Sequence, residues 1–276
     1  MTNSTISKTI TLANGVEMPR LGYGVFRVKD HDECVQGVTE ALKAGYRAID
    51  TAAIYGNEEA VGEAIKASGI AREELFITTK LWNADQGYDT TLKAFEVSLK
   101  KLDLDYVDLY LTHWPKPQLV DTYKAIERLY EEKLIRVPGV SNHHEHHLEQ
   151  VFANCNVKPM VNQIECHPSL SQDALRAFCA QHNIAVTAWA PLGTGIVFTH
   201  PIVKQLAEKY SKSPAQIVLR WHLEIGNIAI PKSVTPARIV ENLDVFGFSL
   251  EADEVAAITA LNTFHRTGSD PDNFNF

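Results

Sequence analysis

Residues 75–114 read LFITTKLWNADQGYDTTLKAFEVSLKKLDLDYVDLYLTHW. A β-rich run, LFITTKLW (75–82), leads into TTLKAFEVSLKKL (90–102), whose apolar residues recur at helical spacing, and a second β-rich run, VDLYLTHW (107–114), follows. A strand, a helix and a strand in about 40 residues form the unit of a parallel sheet, because parallel strands need a crossover that a helix supplies. Working outward, β-rich runs recur at LGYGVF (21–26), RAIDTA (47–52), IRVPGVSN (135–142), MVNQIEC (160–166), AVTAWAPL (185–192) and NIAIPKSV (227–234), eight in all. Amphipathic stretches alternate with them, among them ECVQGVTEALKAG (33–45), NEEAVGEAIKASG (57–69), LVDTYKAIERLYEEK (119–133) and SPAQIVLRWHLEIG (213–226). Asn57 reads as an N-cap, and Gly45, Gly69 and Gly226 as helix stops.

Eight strand–helix units with right-handed crossovers, in a chain of 276 residues, specify an α/β fold of the (β/α)8 TIM-barrel type. The competing doubly wound sheet needs a phosphate-binding turn. Gly22-Tyr23-Gly24 has Arg at position 27, and Gly193-Thr194-Gly195 has Phe at 198, so neither completes the glycine fingerprint. No linker divides the chain, so residues 1–276 read as one barrel domain. KTITLANGVEM (8–18) places Asn14-Gly15 between two apolar runs and predicts an N-terminal β-hairpin. The end of the chain, NTFHRTGSDPDNFNF (262–276), reads as a short polar tail.

Composition excludes several function classes. A formal charge of −8 argues against binding a nucleic-acid backbone. The four cysteines, Cys34, Cys155, Cys166 and Cys179, form no C-x-x-C pair and read as small buried hydrophobes of a reducing compartment. The opening MTNSTISKTITLANGVEM lacks the basic-then-apolar pattern of a secretion signal, and no apolar run approaches the roughly 18 residues of a membrane span. The expectation is a cytoplasmic protein that binds neither membranes nor nucleic acid.

In a TIM barrel, chemistry collects where strands end. The runs end near Asp50, Lys80, His113, Ser141-Asn142, Asn162-Gln163, Trp189 and Lys232-Ser233, none of which a plain core requires. Asp50, Lys80 and His113, with Tyr55 from the loop after the second run, would converge on one mouth. A tyrosine hydroxyl, with a pKa near 10, is a reluctant acid at neutral pH. A lysine ammonium beside it favours the phenolate and lowers that value, and a carboxylate keeps the lysine charged and aimed. A histidine opposite can orient a carbonyl oxygen. Together the four suit proton delivery to a carbonyl as hydride reaches its carbon. A short-chain dehydrogenase is excluded, since none of the nine tyrosines has a lysine four residues on.

IDTAAIYGNEEAVG (49–62), LFITTKLW, VDLYLTHWP (107–115), GVSN (139–142), VNQIECHP (161–168) and IPKSVTPARIVENLDVF (230–246) closely resemble the aldo-keto reductases, almost end to end. The short connection after the fourth run and the short tail resemble the bacterial 2,5-diketo-gluconate and methylglyoxal reductases. The resemblance implies NADPH-dependent reduction of aldehydes and ketones, among them small dicarbonyls, keto-sugar acids and keto esters, by a monomer. Tyr55 would be the acid, Lys80 and Asp50 its tuning pair, and His113 the carbonyl-orienting group. Ser141, Asn142 and Gln163 would hold the nicotinamide carboxamide, with Trp189 stacked on the ring. Gly24, Val25, Phe26, Asp50, Ala190 and Leu192 would complete the cofactor groove. Lys232, Ser233, Val234, Arg238, Glu241 and Asn242 would take the adenosine end, where two cations near a helix N-terminus suit a 2′-phosphate. Phe26, Ile54, Tyr55, Trp82, His113 and Trp114 would line the carbonyl pocket. The competing possibility is an NADPH-binding regulatory or redox-sensing barrel with little turnover.

Four features depart from the family pattern, one of them His143 after Asn142, where the usual pattern resembles IGVSNF. Pro138 falls in the fifth run, where a proline removes a ladder donor and predicts strain or a bulge. Cys166 stands where leucine is usual, and Ala190 where serine is common near the cofactor pyrophosphate. VSNHHEHHLEQ (140–150) sets His143, His144, His146 and His147 around Glu145. The zinc-protease spacing H-E-x-x-H fails because Leu148 follows His147, and no third ligand arrives at a metal-site spacing. A barrel metallohydrolase using His113, His167 and this cluster is thereby disfavoured. The run reads as the polar start of a helix, incidental to catalysis, with no catalytic metal expected and with His143 the member nearest the site.

Overall fold

The computed structural model describes residues 6–276; the first five residues of the opening stretch lie outside them. The chain begins with β1 (Thr9–Thr11) and β2 (Glu17–Pro19), an antiparallel hairpin whose turn contains Gly15 at φ 85°. The main sheet then alternates with helices in the order β3 (Tyr23–Gly24), α1 (His31–Ala44), β4 (Ala48–Asp50), α2 (Glu58–Ser68), β5 (Phe76–Leu81), α3 (Tyr88–Leu102), β6 (Val107–Thr112), α4 (Leu119–Glu131), β7 (Ile135–Ser141), α5 (Glu145–Phe152), β8 (Val161–Glu165), α6 (Asp173–Gln181) and β9 (Ala185–Trp189). Two helices, α7 (Pro201–Tyr210) and α8 (Pro214–Glu224), precede β10 (Ile228–Ala229), after which come α9 (Pro236–Leu243) and α10 (Ala252–Thr259). The eight strands β3 to β10 pair in parallel and in chain order. The cylinder closes where Leu21 bridges Ala229 and the Gly24 amide donates to Pro231 O (3.1 Å). This is the (β/α)8 barrel with its hairpin and tail.

Side-chain alternation divides the core into two layers. Leu109 and Leu111 of β6 join Val137, Val161 and Ile228 in a cluster that Leu12 and Met18 of the hairpin extend. Tyr110, between those leucines, faces the helices and packs edge-on against Phe95 (4.8 Å). Asp108 is buried at the amino end of β6, where it accepts from the Ile77 amide (2.8 Å) and pairs with Arg72 and Arg136 (both 2.7 Å). Its charge is absorbed structurally, far down the strand from the residues expected to do chemistry.

Pro138 produces no bulge. The register of β7 against β6 stays constant through Leu109↔Val137, Tyr110↔Pro138 and Leu111↔Gly139. The Pro138 carbonyl accepts from the Met160 amide (2.9 Å), so its peptide edge faces β8. Strand β8 begins only at Val161, and the missing N–H therefore falls below the paired stretch, where no ladder bond is lost. Gly139 beside it is required by close packing: an added Cβ would lie 2.6 Å from Leu111 Cδ2 and 2.9 Å from Val161 O.

Asn57 precedes α2 as expected but does not cap it. Its Oδ1 accepts from Thr51 Oγ1 (2.7 Å) and its Nδ2 donates to Val25 O and Val28 O (3.0 Å each), tying the β3–α1 loop to the end of β4. Cys34, Cys166 and Cys179 are buried, Cys155 is half-buried, and all four are free thiols.

Candidate active site

The ends of β4, β5 and β6 bring four polar groups into one buried corner. Lys80, fully buried on β5, directs its three ammonium protons to Asp50 Oδ1 (2.5 Å), Thr51 O (2.9 Å) and the Tyr55 hydroxyl (3.5 Å). Three donors meeting three acceptors leave the ammonium fully satisfied. The second Asp50 oxygen accepts from Gln163 Nε2 (2.7 Å), so the carboxylate is held from both sides. Tyr55 closes a single 3-10 turn, Ala53–Tyr55, and its ring lies edge-on to His113 with centroids 5.7 Å apart. Thus Asp50, Tyr55, Lys80 and His113 are brought together.

Their electrostatics differ in one respect from the sequence expectation. Burial pushes the Tyr55 hydroxyl above its ordinary value, and the opposing pull of Lys80 only partly offsets this. The group is therefore a protonated phenol throughout the physiological range. Burial also disfavours the Lys80 charge, but Asp50 and Tyr55 together outweigh that loss and hold the ammonium charged. His113 is driven well below the ordinary histidine value, first by burial and then by Lys80, so its imidazole is neutral. Among the described residues, its buried Nδ1 has no hydrogen-bond partner.

Beside this corner runs a network built from β7, β8 and β9. Ser141 Oγ donates to Gln163 O (2.8 Å), and the Asn142 amide donates to the same carbonyl (2.9 Å). Asn142 Nδ2 reaches His113 O (2.9 Å), and Trp189 Nε1 donates to Asn142 Oδ1 (2.8 Å). Ser141, Asn142, Gln163 and Trp189 therefore form one connected wall, with the Trp189 ring half-exposed. Val25 is fully buried, its amide donating to Asp50 O (3.1 Å) and its carbonyl accepting from Asn57 Nδ2, while Ala190 adopts φ 46° and Leu192 is half-buried.

Lys232, Val234 and Arg238 are exposed around the start of α9. Among the described residues neither Lys232 nor Arg238 has a hydrogen bond or ion pair through its side chain, and the Thr235 side chain does not cap the helix. Asn242 is buried without a side-chain hydrogen bond among the described residues. Ser233 is engaged with Thr235 (Thr235 amide to Oγ, 3.1 Å), and Glu241 accepts from Ser213 Oγ (2.5 Å). Among the described residues this leaves two unpaired cations, an uncapped helix start and an unengaged amide together, a combination that could hold a phosphate group.

The mouth is apolar. Phe26 (52 % exposed) packs on Tyr55 at 4.9 Å, Ile54 is 48 % exposed, and Trp82 lies edge-on to His113 at 5.4 Å. Two residues that sequence reasoning did not single out complete it. Phe276 stacks on Trp82 (5.9 Å) and meets Trp114 edge-on (5.2 Å), while Phe274 packs on Trp114 at 5.0 Å. The Phe276 carbonyl accepts from Asn83 Nδ2 and Lys116 Nζ (3.1 Å each). Phe274 and Phe276, two of the three phenylalanines in a polar tail, were the available signal.

The tail is anchored upstream by Glu165, at the end of β8. Its carboxylate accepts from the Thr267 hydroxyl (2.6 Å), the Thr267 and Gly268 amides and His167 Nε2 (3.1 Å). Glu165 remains ionised although buried: burial raises it, and the bonds from His167 and Thr267 more than reverse that. His167 is thus committed to the tail anchor.

Comparison with known proteins agrees with this geometry. Residues 20–263 match the model of the Aldo/keto reductase family. The glyoxal reductase of Bacillus subtilis (strain 168) is 52% identical over 274 residues, covering 99% of both chains. The methylglyoxal reductase DkgA of Yersinia pestis is 51% identical over 275 residues, covering 98% of each. A solved structure of a Gox0644 variant in complex with NADPH superposes with a TM-score of 0.93 at 46% identity, over 97% of this chain and 98% of that one.

Proposed function

Because the chain belongs to the aldo/keto reductase family, we propose that Tyr55 delivers the proton in its reaction and that small dicarbonyls are its preferred substrates. The reaction is NADPH-dependent reduction of an aldehyde or ketone to an alcohol. When bound, NADPH supplies the hydride. Tyr55 and the neutral His113 hold the carbonyl oxygen, with His113 Nε2 as the ring nitrogen free to reach it. As negative charge develops on that oxygen, the Tyr55 hydroxyl transfers its proton there, and the resulting phenolate faces the Lys80 ammonium. Asp50 and Thr51 O keep that ammonium charged and aimed. The observation carrying this reading is the fully engaged Lys80, whose third proton points at Tyr55.

Ser141, Asn142, Gln163 and Trp189 hold the nicotinamide end. Gly24, Val25, Phe26, Ala190 and Leu192 line the groove. Lys232, Ser233, Val234, Arg238, Glu241 and Asn242 receive the adenosine end, with Lys232 and Arg238 on the 2′-phosphate. The carbonyl enters between Phe26, Ile54, Trp82 and Trp114. Phe274 and Phe276 narrow this opening, which favours small carbonyls such as the glyoxal and methylglyoxal in the relatives' names. Keto-sugar acids and keto esters are further candidates within the same chemistry. We place the protein in the cytoplasm as a monomer with one barrel domain spanning residues 1–276. No helix among the described residues is long and apolar enough to cross a membrane.

The test is NADPH oxidation against methylglyoxal, aromatic aldehydes, β-keto esters and keto-sugar acids, with Tyr55→Phe alongside. Removing a general acid should lower kcat by about 10²–10⁴-fold while leaving NADPH affinity unchanged. A Tyr55→Phe protein turning over at the parental rate would dismiss Tyr55 as the acid. A preference for bulky over small carbonyls would dismiss the substrate assignment.

A further inference from the structure

The histidine run lacked a third ligand in sequence, and the fold supplies one from the tail. His144, at the start of α5, has its Nδ1 2.7 Å from Asp272 Oδ2. His147 Nδ1 accepts from the His144 amide (3.2 Å), which fixes the ring and turns Nε2 toward Asp272 Oδ1 (3.5 Å). His146 Nε2 approaches the same oxygen from the exposed side (3.2 Å). One ligand atom from each of His144, His147 and Asp272 lies within 4.8 Å of the others. His146, His147 and Asp272 also line a surface cleft with Lys116 and Phe274, so an ion can reach them from solvent.

We propose that His144, His147 and Asp272 form a binding site for a zinc-class divalent cation that clamps the tail onto α5. Two imidazoles and one carboxylate favour zinc and its transition-metal neighbours over calcium or magnesium, which take oxygen ligands. Tetrahedral zinc with bonds of about 2.0–2.2 Å keeps neighbouring ligand atoms about 3.3 Å apart. The two imidazoles face different oxygens of Asp272, His147 Nε2 at 3.5 Å from Oδ1 and His144 Nδ1 at 2.7 Å from Oδ2, so the carboxylate takes the ion with both oxygens and the His144 contact opens to admit it. Water or His146 fills the remaining position.

Burial, then the neighbouring His146, pushes His147 down to about 4, so its ring is neutral at neutral pH. With Nδ1 accepting from the His144 amide, the neutral His147 ring carries its proton on Nε2, so ligation moves that proton to Nδ1 and releases the amide at the start of α5. Metal on His144 Nδ1 places the ring proton on Nε2, which then cannot accept from Arg266 Nη2 (3.2 Å). Arg266 retains Asp270 (3.4 Å) and Glu165 (4.0 Å) as partners, so the rearrangement strands no charge. Asp272 lies between the Glu165 anchor and Phe274, and fixing it fixes the phenylalanines against Trp114. That last consequence rests on the carbonyl pocket proposed above; the binding itself does not.

The experiment is calorimetric titration of zinc chloride into the tag-free full-length protein, without NADPH or carbonyl. The expected result is one saturable site per chain, weakened about tenfold or more in both Asp272→Asn and His147→Gln. His31→Gln, which alters an exposed histidine elsewhere, should bind as the parent does. Matching melting temperatures establish that the variants are folded. As a second readout, zinc should slow tryptic cleavage at Arg266 in the parent and not in Asp272→Asn. Absence of saturable binding by the parent, or parental affinity in Asp272→Asn, would overturn the clamp. Neither outcome bears on carbonyl reduction, which is read separately by NADPH oxidation.

Discussion

Replacing Lys80 with Met removes one charge from the proposed proton-delivery corner and nearly preserves its volume. At 3.5 Å and an effective dielectric constant of about 20, an ammonium and a full phenolate attract by about 5 kcal/mol. That is the ceiling for the loss, because the phenolate is only partly formed in the transition state. The expected net loss is about 3 kcal/mol, or roughly a hundredfold in kcat.

The same change strands Asp50, whose other side-chain bond comes from Gln163 Nε2. Breaking one side of a buried pair typically costs about 3–5 kcal/mol of stability. Kinetics must therefore be compared well below the variant's melting temperature. The double variant Lys80→Met/Asp50→Asn separates the two effects, because removing both charges should recover stability without recovering kcat. A directional readout comes from pH. Deprotonation of Tyr55 ends its ability to donate, and Lys80 favours deprotonation, so losing Lys80 should move the alkaline limb of kcat to higher pH. A folded Lys80→Met protein with kcat within about twofold of the parent, or an alkaline limb moved to lower pH, would refute the assignment.

Two further outcomes follow from the structure. Lys232→Ala and Arg238→Ala should each weaken NADPH about tenfold and leave NADH affinity nearly unchanged, since a charge-assisted bond is worth about 1.5–3 kcal/mol; fluorescence titration with both nucleotides checks this, and equal losses for the two would contradict it. His143 and His222 are both pushed down to about 3, chiefly by burial, so the unfolded chain binds protons that the folded chain does not, and stability must fall as pH drops from about 6.5 toward 3. Each contributes about 2 kcal/mol of loss by pH 5, and denaturant unfolding of His222→Gln should show a shallower acid slope, an unchanged slope being the contrary result.

Much of this arrangement could be read from local pattern. The repeated strand–helix unit fixes the barrel because each strand run ends at the same level, and that level gathers Asp50, Lys80 and His113. Local pattern misleads where tertiary contacts redirect a side chain. Asn57 has the residue type and position of an N-cap, yet two backbone carbonyls and the Thr51 hydroxyl claim it. Pro138 looks disruptive until the start of β8 is known, since one residue's missing donor matters only if a partner lies opposite it. Asp272, Phe274 and Phe276 reach the site by long-range folding of a polar tail, and no periodicity encodes which strand end they meet. The balance on Tyr55 also depends on geometry: residue types give the sign of the Lys80 effect, while only burial reveals that desolvation exceeds it.

Asn142 shows how such constraints converge on one residue. Its backbone sits at φ 64°, a region open mainly to glycine and asparagine, which narrows the choice before any side chain is considered. Its Nδ2 donates to His113 O and, at 3.2 Å, to Ser141 Oγ, while its Oδ1 accepts from Trp189 Nε1. Glycine would satisfy the backbone and leave a buried carbonyl and an indole N–H unanswered. Aspartate would accept from Trp189 but offer no donor to His113 O. The asparagine amide supplies both a donor and an acceptor from this conformation. The residue thereby couples the backbone beneath His113, on the proposed carbonyl side, to the Trp189 ring, on the proposed nicotinamide side. In the proposed reaction the relative placement of proton donor and hydride carrier would depend on that coupling, because both must reach one carbonyl group from fixed directions.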